Sequence, residues 1–171
     1  MGFFPRKEKV PAESIVKHFV DICISKGTSK ERLRELFGDV VSDDSDKQYL
    51  EWMAVLMFAV VHSIQRGVQN DVLSKKMIDL FHASVYQQAI FNNRQRLALK
   101  SIINERYATY FAIMHQHLTN NIPLNFGKAL NDNFCEEPNL LVQTYVVEYV
   151  FGIMMSLTEM LKDLQRNCEL V

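Results

Sequence analysis

Five histidines, His18, His62, His82, His115 and His117, are the side chains here best suited to bind a metal or to move protons near neutral pH. Di-iron helical bundles hold their metals with Glu-x-x-His pairs, which place two ligands one turn apart on one helical face, and this chain contains none. His-Glu-x-x-His is also missing. On a regular helix His115 and His117 point about 200° apart, so they do not chelate one ion. No metal or other cofactor is therefore expected, and the histidines read as partly buried side chains satisfied by neighbours. Cys23, Cys135 and Cys168 are odd in number and far apart, at neither ligand nor redox spacing, which fits a reducing, cytoplasmic setting. Ser63 beside His62, and Cys23 near His18, lack the strained turn or helix start that would activate a nucleophile. No glycine-rich phosphate loop follows a strand. These absences favour a protein without catalysis.

Three polar residues interrupt strongly apolar stretches: Glu51, His62 and Glu148. Glu51 and His62 are eleven residues apart and fall almost in line with Gln48 and Arg66, forming a thin polar edge on one helix. Such an edge could offer a carboxylate and an imidazole to a cleft, but a solvated face is the expectation. Glu148 needs a partner or an exit to water. Thr144, Glu148, Gly152 and Ser156 recur every fourth residue, and the stripe drifts to Glu159 and Asp163. It faces either solvent or a helix drawn close over Gly152 and Ser156, for which Ala108 and Ala112 offer a matching small surface. That close contact falls within the chain or across a dimer, with Tyr149, Gly152 and Ser156 as the interface candidates. The last group is aromatic. Tyr107, Tyr110, Met114 and His117, set against Trp52 and Met53, either line a small-molecule pocket between helices or pack as ordinary core.

Helices must position all of these. Glycine and proline are scarce, six and four, and most of them punctuate helical runs. A helix starting at Pro11 runs to about Lys26 before Gly27, and Thr28 to Glu31 caps a short helix ending at Phe37. Ser45 with Gln48 opens a helix that Gly67 closes. Its segment Trp52 to Val61 is an unbroken apolar run, expected at the centre of the fold and too short to span a bilayer. Asn70 caps a fourth helix. A fifth runs from about Arg94 to Thr119, Pro123 starts a short one, and the last extends from Asn139 to about Arg166. Tyr145 to Phe151 has the composition of a strand, yet the apolar spacing continues to Leu164 with no turn signal. Residues 1–10 read as a flexible arm carrying Phe3 and Phe4, and residues 11–171 as a single-domain all-α bundle of five long and two short helices.

A net charge of -1 disfavours a nucleic-acid binder, and no integral membrane segment is expected. Charge is nonetheless arranged in blocks: residues 66–106 are net basic and residues 128–171 net acidic. With eleven Phe, six Tyr and eight Met, this patterning points to a helical protein-interaction module, of adaptor, chaperone-like or regulatory type, that meets another protein or itself as a homodimer. The last helix strengthens that expectation, because its apolar residues spread beyond one stripe and call for cover on two sides. A small-molecule-binding or metal-dependent helical protein is the alternative.

Overall fold

The computed structural model describes residues 7–27, 30–37, 46–88, 90–115, 121–135 and 137–171. The fold is all-α, with helices α1 (Ala12–Gly27), α2 (Lys30–Phe37), α3 (Asp46–Gly67), α4 (Asp71–Tyr86), α5 (Asn93–Met114), α6 (Ile122–Phe134) and α7 (Val147–Asn167). Two three-residue strands, β1 (Glu8–Val10) and β2 (Cys168–Leu170), pair in parallel and tie the two ends of the described chain together. The arm expected over residues 1–10 is thus ordered at its far end. Lys7 Nζ donates to the Gln165 carbonyl, and Val171 N donates to Val10 O across the same junction. No local signal marks β1, because its partner lies at the opposite end of the sequence. Residues 1–6, the Thr28 cap, residues 39–44, Ser45 and His117 lie outside the described residues.

Helix α3 occupies the centre. Every residue from Trp52 to Val61 is buried, as an all-round apolar helix requires, and α7, α5, α1, α4 and α6 pack around it into one continuous core. Its C-terminal carbonyls are satisfied from outside: Gln165 of α7 donates through Nε2 to Gly67 O and accepts from Gln69 N at 3.1 Å. Asn70 accepts from Leu73 N and caps α4. Asn92 and Gln95 make a reciprocal capping box for α5, which ends at Met114 with His115 as its cap.

The strand-like composition near Tyr145 resolves as helix with a defect. Asn139 Oδ1 accepts from Leu141 N and Val142 N to open the segment, and Val142–Val146 then form one π-helical turn leading directly into α7. Single π turns of this kind cluster at functional sites. Gly127 of α6 lies against this turn so closely that an added Cβ would collide with the Gln143 carbonyl. Gly67 is nearly as tight, with Leu161 Cβ 2.7 Å from where its own Cβ would stand. Among the described residues the close helix crossings are therefore at Gly67 and Gly127, and not at Gly152, where no described atom beyond its own stretch of helix lies within 4 Å of an added Cβ. Ala108 and Ala112 are likewise exposed, so the small surfaces of α5 and α7 do not meet within the chain.

Candidate functional site

The side of α3 turned towards α5 carries Glu51, the one charged side chain buried in the core among the described residues. Glu51 lies one turn inside α3 and is 1% exposed, so its carboxylate must be fully compensated. Arg106 of α5 compensates it with two near-parallel bonds, Nε to Oε2 at 2.9 Å and Nη2 to Oε1 at 2.8 Å. Its Nη1 reaches the exposed Glu105, so one end of the guanidinium touches the surface while the other is fixed in the core. Its hydrogen bonds to the Glu51 carboxylate are the first cause holding Arg106 above its ordinary range. One turn further along α5, the Tyr110 hydroxyl accepts from Asn133 Nδ2 at 3.1 Å, and burial pushes this phenol up.

Glu51 is thus not part of a solvated edge. The line of Gln48, Glu51, His62 and Arg66 is covered over most of its length by α5 and α6. Gln48 donates to Phe134 O, Glu51 is sealed by Arg106, His62 is half-buried, and only Arg66 at the end is exposed. His62 packs its ring against Phe58, and its pKa is lowered to about 4, first by burial and then by the positive charges of Arg66 and His115. An imidazole kept neutral in the fold takes up its proton more readily once unfolded. Stability that is fully present above about pH 6.5 is therefore lost as the pH falls towards 4. Between pH 7 and pH 4.5 the urea midpoint of the native chain should drop by more than that of His62→Gln, and equal drops would show that His62 is not the group responsible.

The aromatic candidates separate onto two sides of α3. Trp52 is buried between Phe37, met edge-on with centroids 5.4 Å apart, and Tyr149, stacked at 6.2 Å. Tyr107 and Tyr110 instead flank Phe58, with Phe111 and Phe126 completing that cluster. Trp52 and Phe58 point about 120° apart around the helix, so these residues do not face one common space. Met53 is fully buried and Met114 half-buried against the same core. Two open surface depressions, of about 560 and 510 Å³, lie elsewhere, along α4 and between α1 and α4, and meet at Leu80. Tyr107 carries a polar contact that the sequence reading missed. Its hydroxyl is 3.1 Å from His82 Nε2, and the His82 ring stacks on Tyr86, over which Lys100 Nζ sits at 5.0 Å. Burial lowers the His82 pKa and raises those of Tyr107 and Tyr86, so all three are neutral at pH 7.

Neither family models, curated proteins nor solved structures give a match to this chain.

The geometry of the chain itself therefore carries the functional argument. Among the described residues no three His, Cys, Asp or Glu side chains converge as metal ligands, and no helix is long and apolar enough to cross a membrane. The outward side of the last helix remains. Glu148, Gly152 and Ser156 are all exposed there, and so are Leu140 (75%), Leu141 (46%), Tyr145 (52%) and Met155 (68%). The opposite side of α7, through Val147, Val150, Met154, Leu157 and Leu161, is buried. Tyr149 belongs with the inward residues because its ring lies on Trp52, so it is a core residue more than an interface residue.

Proposed function

We propose that this chain is a non-catalytic helical protein-interaction module, of adaptor, chaperone-like or regulatory type, that engages its partner through the outward side of the π turn and α7. The observation carrying this reading is the group of Leu140, Leu141, Tyr145 and Met155, large apolar side chains left exposed along one helical face while the helix's other face fills the core. Large apolar side chains exposed on one side of a helix are costly to leave in water, and their grouping there supports a contact site. Tyr and Met suit such a contact, giving large area and adaptable packing at low ordering cost. The three thiols are free, which supports action in a reducing compartment such as the cytoplasm. The alternative of a small-molecule-binding protein draws its best support from the half-buried contact between His82 and Tyr107.

Site-specific photo-crosslinking in the native host tests the proposal. With a photoreactive phenylalanine in place of Tyr145, irradiation should yield one or a few discrete protein adducts. The same probe in place of the exposed Gln65 on α3 should not. Equal adduct patterns at the two positions, or none at Tyr145, would remove the basis for this reading.

A further inference from the structure

We infer that His82 is a pH-sensitive latch between α4 and α5: neutral, it holds the Tyr107 hydroxyl, and protonated, it releases Tyr107 and turns outward to Asp79. The latch is independent of the contact face on α7. Its two helices have their main packing elsewhere, α4 against α1 and α3, and α5 against α3 and α6. Between them, in a half-buried seam, His82 Nε2 meets the Tyr107 hydroxyl at 3.1 Å.

The other ring nitrogen sets the direction of that hydrogen bond. His82 also bonds the Ile78 carbonyl one turn back along α4, and with Nε2 taken by Tyr107 it is Nδ1 that serves this bond. A neutral imidazole carries a single N–H. With that hydrogen at Nδ1, Nε2 is a bare acceptor and the Tyr107 hydroxyl donates to it. A proton added to His82 therefore goes to Nε2. The contact would then have to reverse, with Tyr107 accepting, and the hydroxyl makes no other hydrogen bond among the described residues. Its hydrogen must find water, which requires the seam to open.

The surrounding groups give the charged ring a reason to leave. Asp79, exposed and one turn before His82 on α4, attracts the cation outward. The α5 groups nearby are Tyr107 and Lys100, whose ammonium sits 5.0 Å from the Tyr86 ring on which His82 stacks. Neither neutralises an imidazolium. From α1, the Cys23 thiol neighbours Tyr107 and is kept protonated by burial. From α3, Phe58 lies edge-on to Tyr107, and His62 answers to the charges of Arg66 and His115. Burial is the largest influence on His82 and holds its protonation below the ordinary value of 6.5, against the pull of Ile78 and Asp79. The unfolded chain takes up this proton at a higher pH than the fold does. The closed latch is thus at full strength above about pH 6.5 and is lost as the pH falls.

Histidine-ring NMR on the full-length chain tests the latch, the His82 signals being those that vanish in His82→Gln. At pH 7 the ring should show a protonated Nδ1 and a bare Nε2. Tyr107→Phe removes a bond made to the neutral form and should raise the His82 midpoint by about 0.5 to 1 pH unit. Asp79→Asn, an exposed position whose change leaves the fold intact, should lower the midpoint by a few tenths of a pH unit. In the native chain, photochemically induced nuclear polarisation with a flavin dye should reach the Tyr107 ring below the His82 midpoint and not above it. A protonated Nε2 at pH 7 overturns the latch. So does a midpoint that fails to rise in Tyr107→Phe or to fall in Asp79→Asn, or a Tyr107 ring equally reactive on both sides of it. Should Tyr107→Phe not fold, the tautomer, the Asp79 variant and the dye still decide.

Discussion

Replacing Arg106 with Met is expected to destabilise the protein by roughly 3 to 5 kcal/mol, because it strands the Glu51 carboxylate inside the core without its counter-charge. The two ends of the pair are not equivalent. Glu51 is 1% exposed, whereas Arg106 is 17% exposed and also holds Glu105, so a guanidinium that loses Glu51 still has an acceptor and a route to water. Glu51→Leu alone should therefore cost clearly less than Arg106→Met. The double variant, with two apolar side chains facing each other, should recover most of the loss, since a buried ion pair contributes little net stability over a well-packed apolar contact of similar volume. Urea denaturation of the four proteins measures the coupling directly. A loss below about 1 kcal/mol for Arg106→Met, or a double variant no more stable than it, would mean that the carboxylate finds another partner or protonates at little cost.

That pair also shows where sequence reading reaches its limit in this chain. Helical periodicity states which residues share a side of a helix, and on that basis Gln48, Glu51, His62 and Arg66 do form a line. It does not state whether another helix covers the line. The signal that would have revealed the cover lies on α5: Arg106 stands immediately before Tyr107 and one turn before Tyr110, on a helix whose other inward residues are apolar. The glycines teach a similar lesson. Gly127 and Gly152 both sit in helix interiors, but Gly127 lies among Phe126, Leu130 and Phe134, the buried stripe of α6, whereas Gly152 shares its side with Glu148 and Ser156. A glycine on an apolar stripe marks an internal crossing, and one on a polar stripe is free for an external contact. Read in that way, the sequence separates the two. The central α3 was legible because ten apolar residues in succession allow only a buried helix, and the Asn70 cap because its chemistry is local. The β1 to β2 pairing was not legible, since three-residue strands at opposite ends of a chain leave no periodic trace.

The aromatic cluster around Phe58 gives the other large expected effect. Phe58 is fully buried and its ring meets Tyr107, Tyr110, Phe111, Phe126 and His62 at centroid separations from 4.9 to 5.9 Å, so one side chain joins α3 to both α5 and α6. Phe58→Ala removes the ring where its neighbours are themselves rigid rings on three helices, which collapse poorly into the space. A loss of roughly 3 to 5 kcal/mol is expected. For a domain of this length that corresponds to a fall in Tm of roughly 6 to 20 °C. The near-ultraviolet dichroism of Tyr107 and Tyr110 should weaken as their packing loosens, while far-ultraviolet helicity is kept below the new transition. Phe58→Leu keeps much of the volume and should lose less than half as much. Leu97→Ala, on the exposed side of α5 at 69% exposure, should change stability by no more than about 0.5 kcal/mol. If Phe58→Ala cost as little as Leu97→Ala, the ring contacts between α3, α5 and α6 could not be what holds α5 in place. The alignment of Arg106 on Glu51 would then have to be maintained by the ion pair alone. In that case Arg106→Met would release α5 from α3 and lower amide protection along the whole of α5, a pattern that hydrogen exchange distinguishes from a local loss around position 51.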